Sequence, residues 1–352
     1  MDVPVNPNIL KCFKDNSNES VSVDDMIELL NVVNIDEFYD TSKIRFKRSG
    51  DLFYYVPPII PQKYIAAFDV DWTLTFSEKK LEPYRAEPWD IKLLPNRKRD
   101  LIMLFKKGYT IVLFTNQGVK PEKAKYERVE RISTLIRELG IPCYVFIATG
   151  HDEYRKPDIG MWSKFMELIG NHMDYGFFVG DALGRPQDFA ATDKEFAMNM
   201  GLPYYSPEEF FTPSNVVIRE GKTMVVMVGM QGAGKSVYAE RELVPKGYVH
   251  ISSDNFKSNK ERMIREVKKV LQAGKNVVID ATNPKQEDRE RYYDMAGEFG
   301  YNIVVIYFVR NGFGWNELRG ENKVPRIAYN LYFKNLDPPS KLNTPGEFYM
   351  LD

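Results

Sequence analysis

Short apolar runs alternate along most of the chain with stretches in which apolar residues recur every three or four positions. The runs at 64–68, 110–114, 144–148 and 176–179 predict buried strands, and 97–107, 121–139 and 160–169 carry the helical period between them. A proline-punctuated stretch follows at 201–214, with Pro203, Pro207 and Pro213. The alternation then restarts. Strands are predicted at 223–228, 248–251, 276–279 and 302–308, and helices at 236–243, 260–273 and 286–299. Strands alternating with helices imply parallel sheets covered by helices, the α/β class. The pattern divides the chain into an N-terminal extension (1–50) and two parallel-sheet domains (51–213 and 214–352). Within the extension, 23–33 carries a short helical pattern. The segment from Asp337, with Pro338, Pro339 and Pro345, shows little periodicity and is expected to pack as irregular chain.

Composition changes this picture little. At 352 residues the chain is long enough for two separate cores, and 43% hydrophobic with 28% charged residues is ordinary for a globular protein. No apolar run reaches membrane-span length, and the start Met1-Asp2-Val3-Pro4 lacks a signal-peptide pattern, so no membrane association is expected. Cys12 and Cys143 are too few for a disulfide framework or a structural zinc site, which points to a reducing, intracellular location. The net charge of −1 offers no global argument for a nucleic-acid partner. A protein that grips only a strand end needs no more than a local basic groove. Lys43-Ile44-Arg45-Phe46-Lys47-Arg48 and Asn96-Arg97-Lys98-Arg99 could supply part of one, although such runs are commonly solvated faces.

Candidate chemistry begins where the first predicted strand ends. Asp69-Val70-Asp71-Trp72-Thr73 places two carboxylates two residues apart at the carboxyl end of a strand, the edge where open α/β sheets bind ligands. Residues two apart in extended chain point the same way, so both can address one phosphate. One carboxylate can attack phosphorus while its neighbour protonates the leaving oxygen and later activates water. Further strand ends add to the set. The segment Phe114-Thr115-Asn116-Gln117 offers a hydroxyl and an amide for phosphate oxygens; Lys156 offers a cation; Asp181 offers a carboxylate suited to a hard cation such as Mg²⁺. Asp188 and Asp193 read equally as supporting groups or as helix caps.

In the second domain Gly229-Met230-Gln231-Gly232-Ala233-Gly234-Lys235-Ser236 follows a strand and opens a helix, the context of a P-loop. The backbone at Gly229, Gly232, Ala233 and Gly234 would face the phosphates of ATP, Lys235 would reach the terminal ones, and the Ser236 hydroxyl would hold Mg²⁺. Asp254, just past the next strand, is placed to take a proton from an attacking hydroxyl, or else to cap the following helix. Asp280-Ala281-Thr282-Asn283-Pro284 closes another strand near the same phosphates.

The order Asp-x-Asp, Thr, Lys, Gly-Asp resembles the haloacid dehalogenase superfamily of phosphatases. The blocks Phe114-Thr115-Asn116-Gln117-Gly118, Tyr154-Arg155-Lys156-Pro157 and Val179-Gly180-Asp181-Ala182 resemble more closely the polynucleotide kinase–3′-phosphatase family, and Gly247-Tyr248-Val249-His250 resembles its kinase half. That resemblance implies a haloacid dehalogenase-like Rossmannoid phosphatase followed by a P-loop kinase. It makes Asp69 the nucleophile and Asp71 the general acid/base. Thr115 and Lys156 hold phosphate, and Asp69, Asp181 and the backbone carbonyl of Asp71 bind Mg²⁺. Asp254 becomes the base for a 5′-hydroxyl, with Arg319 and Arg326 as candidate lid residues over ATP. The implied activity removes 3′-phosphates and phosphorylates 5′-hydroxyls at nucleic-acid strand ends, DNA ahead of RNA. Ligases or other repair proteins are the implied partners, and the nucleus is the implied location ahead of the cytoplasm. Two departures stand out. Trp72 occupies the usual glycine position, where a ring would narrow the site, stack on a base or act as a hydrophobic prop, and Ser253 replaces a basic residue before Asp254. The rival readings are a fused small-molecule phosphatase and kinase, and a non-catalytic scaffold.

Overall fold

The computed structural model describes residues 44–211, 213–218, 220–257 and 259–352, so the predicted helix at 23–33 lies outside the described residues. The chain separates into two compact units. One holds the described residues up to Ser77 together with Glu82–Pro213, and the other holds Glu78–Leu81 with Ser214–Asp352.

The first unit begins with β1 (Lys47–Ser49), β2 (Leu52–Tyr55) and β3 (Tyr64–Phe68), then a separate antiparallel pair, β4 (Thr75–Ser77) and β5 (Ile91–Leu93). It continues through α1 (Arg97–Lys106), β6 (Tyr109–Asn116), α2 (Glu122–Leu139), β7 (Cys143–Ala148), α3 (Gly160–Leu168), β8 (Tyr175–Val179), α4 (Thr192–Met200) and β9 (Tyr204–Tyr205). The main sheet runs β1-β2-β7-β6-β3-β8-β9. From β7 to β9 it is parallel, whereas β2 pairs antiparallel with β7 and β1 with β2. This edge ribbon departs from the all-parallel expectation; β1 is exposed throughout and so carries no apolar signal.

Alternation along the strands divides their side chains between two cores. Ala66, Phe68, Ile111, Leu113 and Val145 join the helix residues Leu104, Ile132, Leu135 and Leu139 on one face. Ile65, Ala67, Val112, Phe114 and Phe146 join Met161, Phe165 and Phe196 on the other. A strand buried on both faces has to be apolar throughout, which is why these strands read as continuous runs. The chain passes from β3 to β6 on one side and later returns to β8 on the other, leaving a crevice at the carboxyl end of β3.

The second unit contains β10 (Thr223–Gly229), α5 (Lys235–Tyr238), β11 (Val249–Ser252), α6 (Lys260–Gln272), β12 (Val277–Asp280), α7 (Gln286–Phe299), β13 (Asn302–Phe308), α8 (Gly312–Glu317), α9 (Arg326–Asn335) and β14 (Glu347–Leu351). Its parallel sheet runs β11-β12-β10-β13-β14, with β10 at the centre and its own switch point beside β13. The helix predicted over 236–243 is a single α-turn that widens into a π-turn at Ala239–Leu243. The C-terminal segment corrects the expectation of irregular chain, since β14 pairs in parallel with β13 from Glu347↔Val304 to Leu351↔Phe308. As an edge strand it is only half-buried, so its pairing comes from the backbone of β13 and leaves no hydrophobic signature. Among the described residues no helix is long and apolar enough to cross a membrane.

Candidate active sites

Asp69 follows the last residue of β3 and donates its backbone N–H to the Val179 carbonyl, 2.9 Å away on β8. Its buried carboxylate lies 2.6 Å from Lys156 Nζ, which also bonds Asp193 Oδ1 at 2.7 Å. Asp193, on α4, accepts from the Ala182 N–H at 3.0 Å through its other oxygen. Carboxylate oxygens of Asp69, Asp181 and Asp193 all lie within 4.8 Å of one another. Asn116 clamps the Lys156 backbone in both directions, donating to its carbonyl and accepting from its N–H, each at 3.0 Å.

The Gln117 amide bonds Thr115 Oγ1 at 2.7 Å and Asp71 Oδ2 at 2.6 Å. This corrects the expectation that the segment offers an amide to phosphate, because the Asn116 and Gln117 amides are both engaged inside the site. The buried Thr115 hydroxyl, accepting from Gln117, keeps its own hydrogen to donate. The basic run at 96–99 is corrected in part as well. Arg97 is buried, donates to the Thr73 carbonyl at 3.0 Å and lies 4.0 Å over the Phe211 ring, so it anchors the chain beside Asp71.

Concentrated carboxylates shape the electrostatics. Burial raises the Asp69 pKa to about 7; Lys156 opposes the shift, and Asp193 and Asp71 add to it. Asp181 is raised by burial and then by repulsion from Asp69 and Asp193. Burial alone would lower the Lys156 pKa, but Asp193 and Asp69 outweigh it and raise it. The site can present a carboxylate nucleophile beside a fixed cation, with a second carboxyl group two residues along the chain.

Asp193, which the sequence leaves between a supporting group and a helix cap, belongs to this constellation as a supporting group, and so does Arg131, to which the sequence gives no role. Arg131 is fully buried and grips Asp71 with two hydrogen bonds, at 2.8 and 3.0 Å. A signal existed. On α2, Arg131 shares the stripe of Leu135 and Leu139, and a cation among core positions needs a partner.

Trp72 adopts a left-handed backbone, φ 63°. A side chain in that conformation costs about 1–2 kcal/mol, which accounts for the glycine usual at this position. The indole is half-buried. Trp72→Gly is therefore expected to keep or raise stability by about 0.5–1 kcal/mol through relief of the backbone. Urea denaturation would measure it, and a loss beyond about 1 kcal/mol would show that the ring is packed after all.

In the second unit β10 runs into the glycine loop. Gly232 has φ 77°, and a Cβ there would overlap the Gly312 carbonyl oxygen at the start of α8. Tyr329 of α9 donates to the Gln231 carbonyl at 3.0 Å and so ties α9 to the loop. The buried Lys235 Nζ bonds the Gly229 and Met230 carbonyls at 2.9 and 2.8 Å. Burial lowers its pKa to about 8 against the opposing charges of Asp280 and Asp254, and Arg319 lowers it further. Ser236 is exposed in the first helical turn.

Asp254 lies in the tight turn Ser253–Phe256, and Asn259 instead caps α6 by accepting from the Arg262 N–H at 3.1 Å. The helix-cap alternative for Asp254 is thereby set aside, and its carboxylate is exposed. Asp280 closes β12 buried, 3.0 Å from His250 Nε2. The two candidate lid arginines differ. The charge of Arg319 acts on Lys235, whereas the Arg326 guanidinium lies 5.2 Å over the Phe313 ring.

Fold and geometry together define a two-part phosphoryl-transfer protein, with a carboxylate-centred site in one unit and a P-loop in the other. The description "Polynucleotide kinase 3 phosphatase" matches residues 64–211, and "AAA domain" matches residues 224–311. A Schizosaccharomyces pombe protein named bifunctional polynucleotide phosphatase/kinase is 31% identical over 322 residues, covering 79% of this chain and 77% of that one. A relative from Acanthamoeba polyphaga mimivirus is 29% identical over 348 residues, covering 78% of this chain and 81% of its own. The polynucleotide 3′-phosphatase ZDP of Arabidopsis thaliana is 35% identical over 171 residues, 43% of this chain and 24% of that one. The chain belongs to the family of bifunctional polynucleotide phosphatase/kinases.

Proposed function

We propose that this chain heals nucleic-acid strand ends, removing a 3′-phosphate in its first unit and transferring the terminal phosphate of ATP to a 5′-hydroxyl in its second. The observation that carries this reading is the meeting of Asp69, Asp71, Thr115, Lys156 and Asp181 at one end of a parallel sheet, in a chain whose other sheet ends in a P-loop. An Asp69 oxygen bonds phosphorus as the bond to the 3′ oxygen breaks, and Asp71 passes a proton to that oxygen. Water then attacks the aspartyl phosphate, giving its proton to Asp71 and releasing Asp69. Lys156 and Thr115 hold the phosphoryl oxygens in both steps.

The oxygen donors of Asp69, Asp181 and Asp193 fit a hard divalent cation, and their mutual repulsion favours one. Mg²⁺ bound there would draw charge from the phosphoryl group. In the kinase unit Lys235 and the loop amides would hold the ATP phosphates, Ser236 a second Mg²⁺, and Asp254 would take the proton of the 5′-hydroxyl. DNA ends are the expected substrate ahead of RNA. The products, a 3′-hydroxyl and a 5′-phosphate, are the pair a ligase consumes, which makes a ligase the natural successor enzyme.

Gel assays on 3′-phosphorylated and 5′-hydroxyl oligomers, set against mononucleosides and sugar phosphates, test the reading. Turnover of the small molecules with no labelled oligomer would overturn it in favour of a fused small-molecule enzyme. A protonic signature accompanies the kinase reading. Burial holds the Lys235 pKa down to about 8, and phosphate beside it would restore the full charge. ATP binding near pH 8 should therefore take up more protons in wild type than in Lys235→Arg, whose cation does not titrate, and the difference should shrink as pH falls. Calorimetry in buffers of different ionisation enthalpy measures this uptake.

A further inference from the structure

Both oxygens of Asp71 are already bonded within the protein. Arg131 Nη1 donates to Oδ1 at 2.8 Å and Nη2 to Oδ2 at 3.0 Å, while Gln117 Nε2 reaches Oδ2 at 2.6 Å. The arginine side chain is 0% exposed, and the aspartate retains 15%. Arg131 makes no other side-chain hydrogen bond among the described residues, and its buried Nε lacks a partner. Among the described residues, the hydrogen bonds of the guanidinium thus all go to Asp71. Half-buried Arg128, one helical turn earlier on α2, has its pKa lowered first by burial and then by the Arg131 charge, so α2 brings two cations to the Asp71 side of the site.

A planar fork against a carboxyl group fixes the carboxyl plane as well as its position, which a single ammonium does not. We propose that Arg131 is a positioning residue for the phosphatase reaction, holding the Asp71 carboxyl in the plane from which it exchanges its proton with the leaving 3′ oxygen. The proposal rests on the reading of Asp71 as proton donor given above. Atoms balance within that scheme. The Asp69 oxygen–phosphorus bond forms as the phosphorus–3′ oxygen bond breaks, and the proton moves from Asp71 to the departing oxygen. Hydrolysis of the aspartyl phosphate later returns a proton from water to Asp71. Only the first of these steps depends on the basicity of the leaving group. A sugar alkoxide needs the proton, whereas p-nitrophenolate leaves without it.

The test is single-turnover release by the full chain from a 3′-phosphorylated oligonucleotide and from p-nitrophenyl phosphate. Arg131→Gln and Arg131→Lys are compared alone and in an Asp71→Asn background. Arg131→Gln should slow release of the oligonucleotide by about 10²-fold and p-nitrophenolate release by less than about threefold. Arg131→Lys should recover no more than about tenfold of that loss. With Asp71→Asn already present, Arg131→Gln should add less than about twofold. Kinase turnover of a 5′-hydroxyl oligonucleotide by the same preparation checks its integrity.

Equal loss with both substrates, or losses that multiply with Asp71→Asn, would overturn the proposal and leave Arg131 a structural residue. If Arg131→Gln does not fold, Arg131→Lys is decisive by the same two comparisons. If wild type releases p-nitrophenolate but no phosphate from the oligonucleotide, the substrate reading falls and the proposal falls with it. That result is visible before any variant is made.

Discussion

Asp69→Asn is expected to abolish release of phosphate from 3′-phosphorylated strands, a loss of at least about 10⁴-fold, while phosphorylation of 5′-hydroxyl ends stays within about twofold of wild type. An amide nitrogen or oxygen at this position is too poor a nucleophile to open the phosphoester. Two neighbouring carboxylates are not free to take its place, since Asp71 is occupied by Arg131 and Gln117 and Asp193 by Lys156 and the Ala182 N–H. The fold should survive. Lys156 keeps Asp193 as its counter-ion at 2.7 Å, so no uncompensated charge is buried. The kinase should survive because its P-loop, Asp254 and Asp280 all lie in the other compact unit. Release of phosphate and transfer of labelled phosphate, measured on one preparation, make the comparison. Loss of both activities with an unchanged melting temperature would show that the chemistry is not divided between the units.

The residues that sequence could bring together share one property, which is that they follow strands. Asp69, Thr115 and Asp181 each stand at or just beyond the end of an apolar run, and strand ends in a parallel sheet meet along one edge. Lys156 stands apart, in the loop between β7 and α3, and Asn116 holds its backbone in place from the end of β6. Arg131 and Asp193 come from helices. Whether a helical residue reaches a site depends on how the helix lies on the sheet, and that geometry has no local signature. Edge strands failed for a related reason. β1 is exposed and β14 half-buried, so their pairing partners supply the order that apolar patterning supplies elsewhere. The Trp72 departure was legible as an unusual residue, but its left-handed backbone was not, and that conformation explains why the position favours glycine.

Removing the other cation tests the second unit. Lys235→Ala is expected to lower phosphate transfer to 5′-hydroxyl ends by at least about 10³-fold while 3′-phosphate release stays within about twofold. Lys235 is the buried ammonium inside the glycine loop, and the terminal phosphates of ATP develop their charge where it sits. At rest Nζ donates to the Gly229 and Met230 carbonyls, so the lysine also holds the loop in shape before nucleotide arrives. The stability cost should nonetheless be modest. Two carbonyls lose a donor, at about 1–3 kcal/mol for buried acceptors left unpaired. Against that, a lysine whose pKa is pushed down to about 8 is itself costly to bury charged, and alanine removes that penalty. The two effects oppose each other, so a melting temperature within a few degrees of wild type is expected alongside the collapse in transfer. Lys235→Arg separates charge from shape. It keeps a cation but overfills the loop, where Gly232 already lies against Gly312, so it should bind ATP while remaining at least about tenfold impaired in transfer. Full transfer by Lys235→Ala would place the phosphate-holding charge elsewhere, with Arg319, the other cation whose charge reaches this loop, as the next residue to replace.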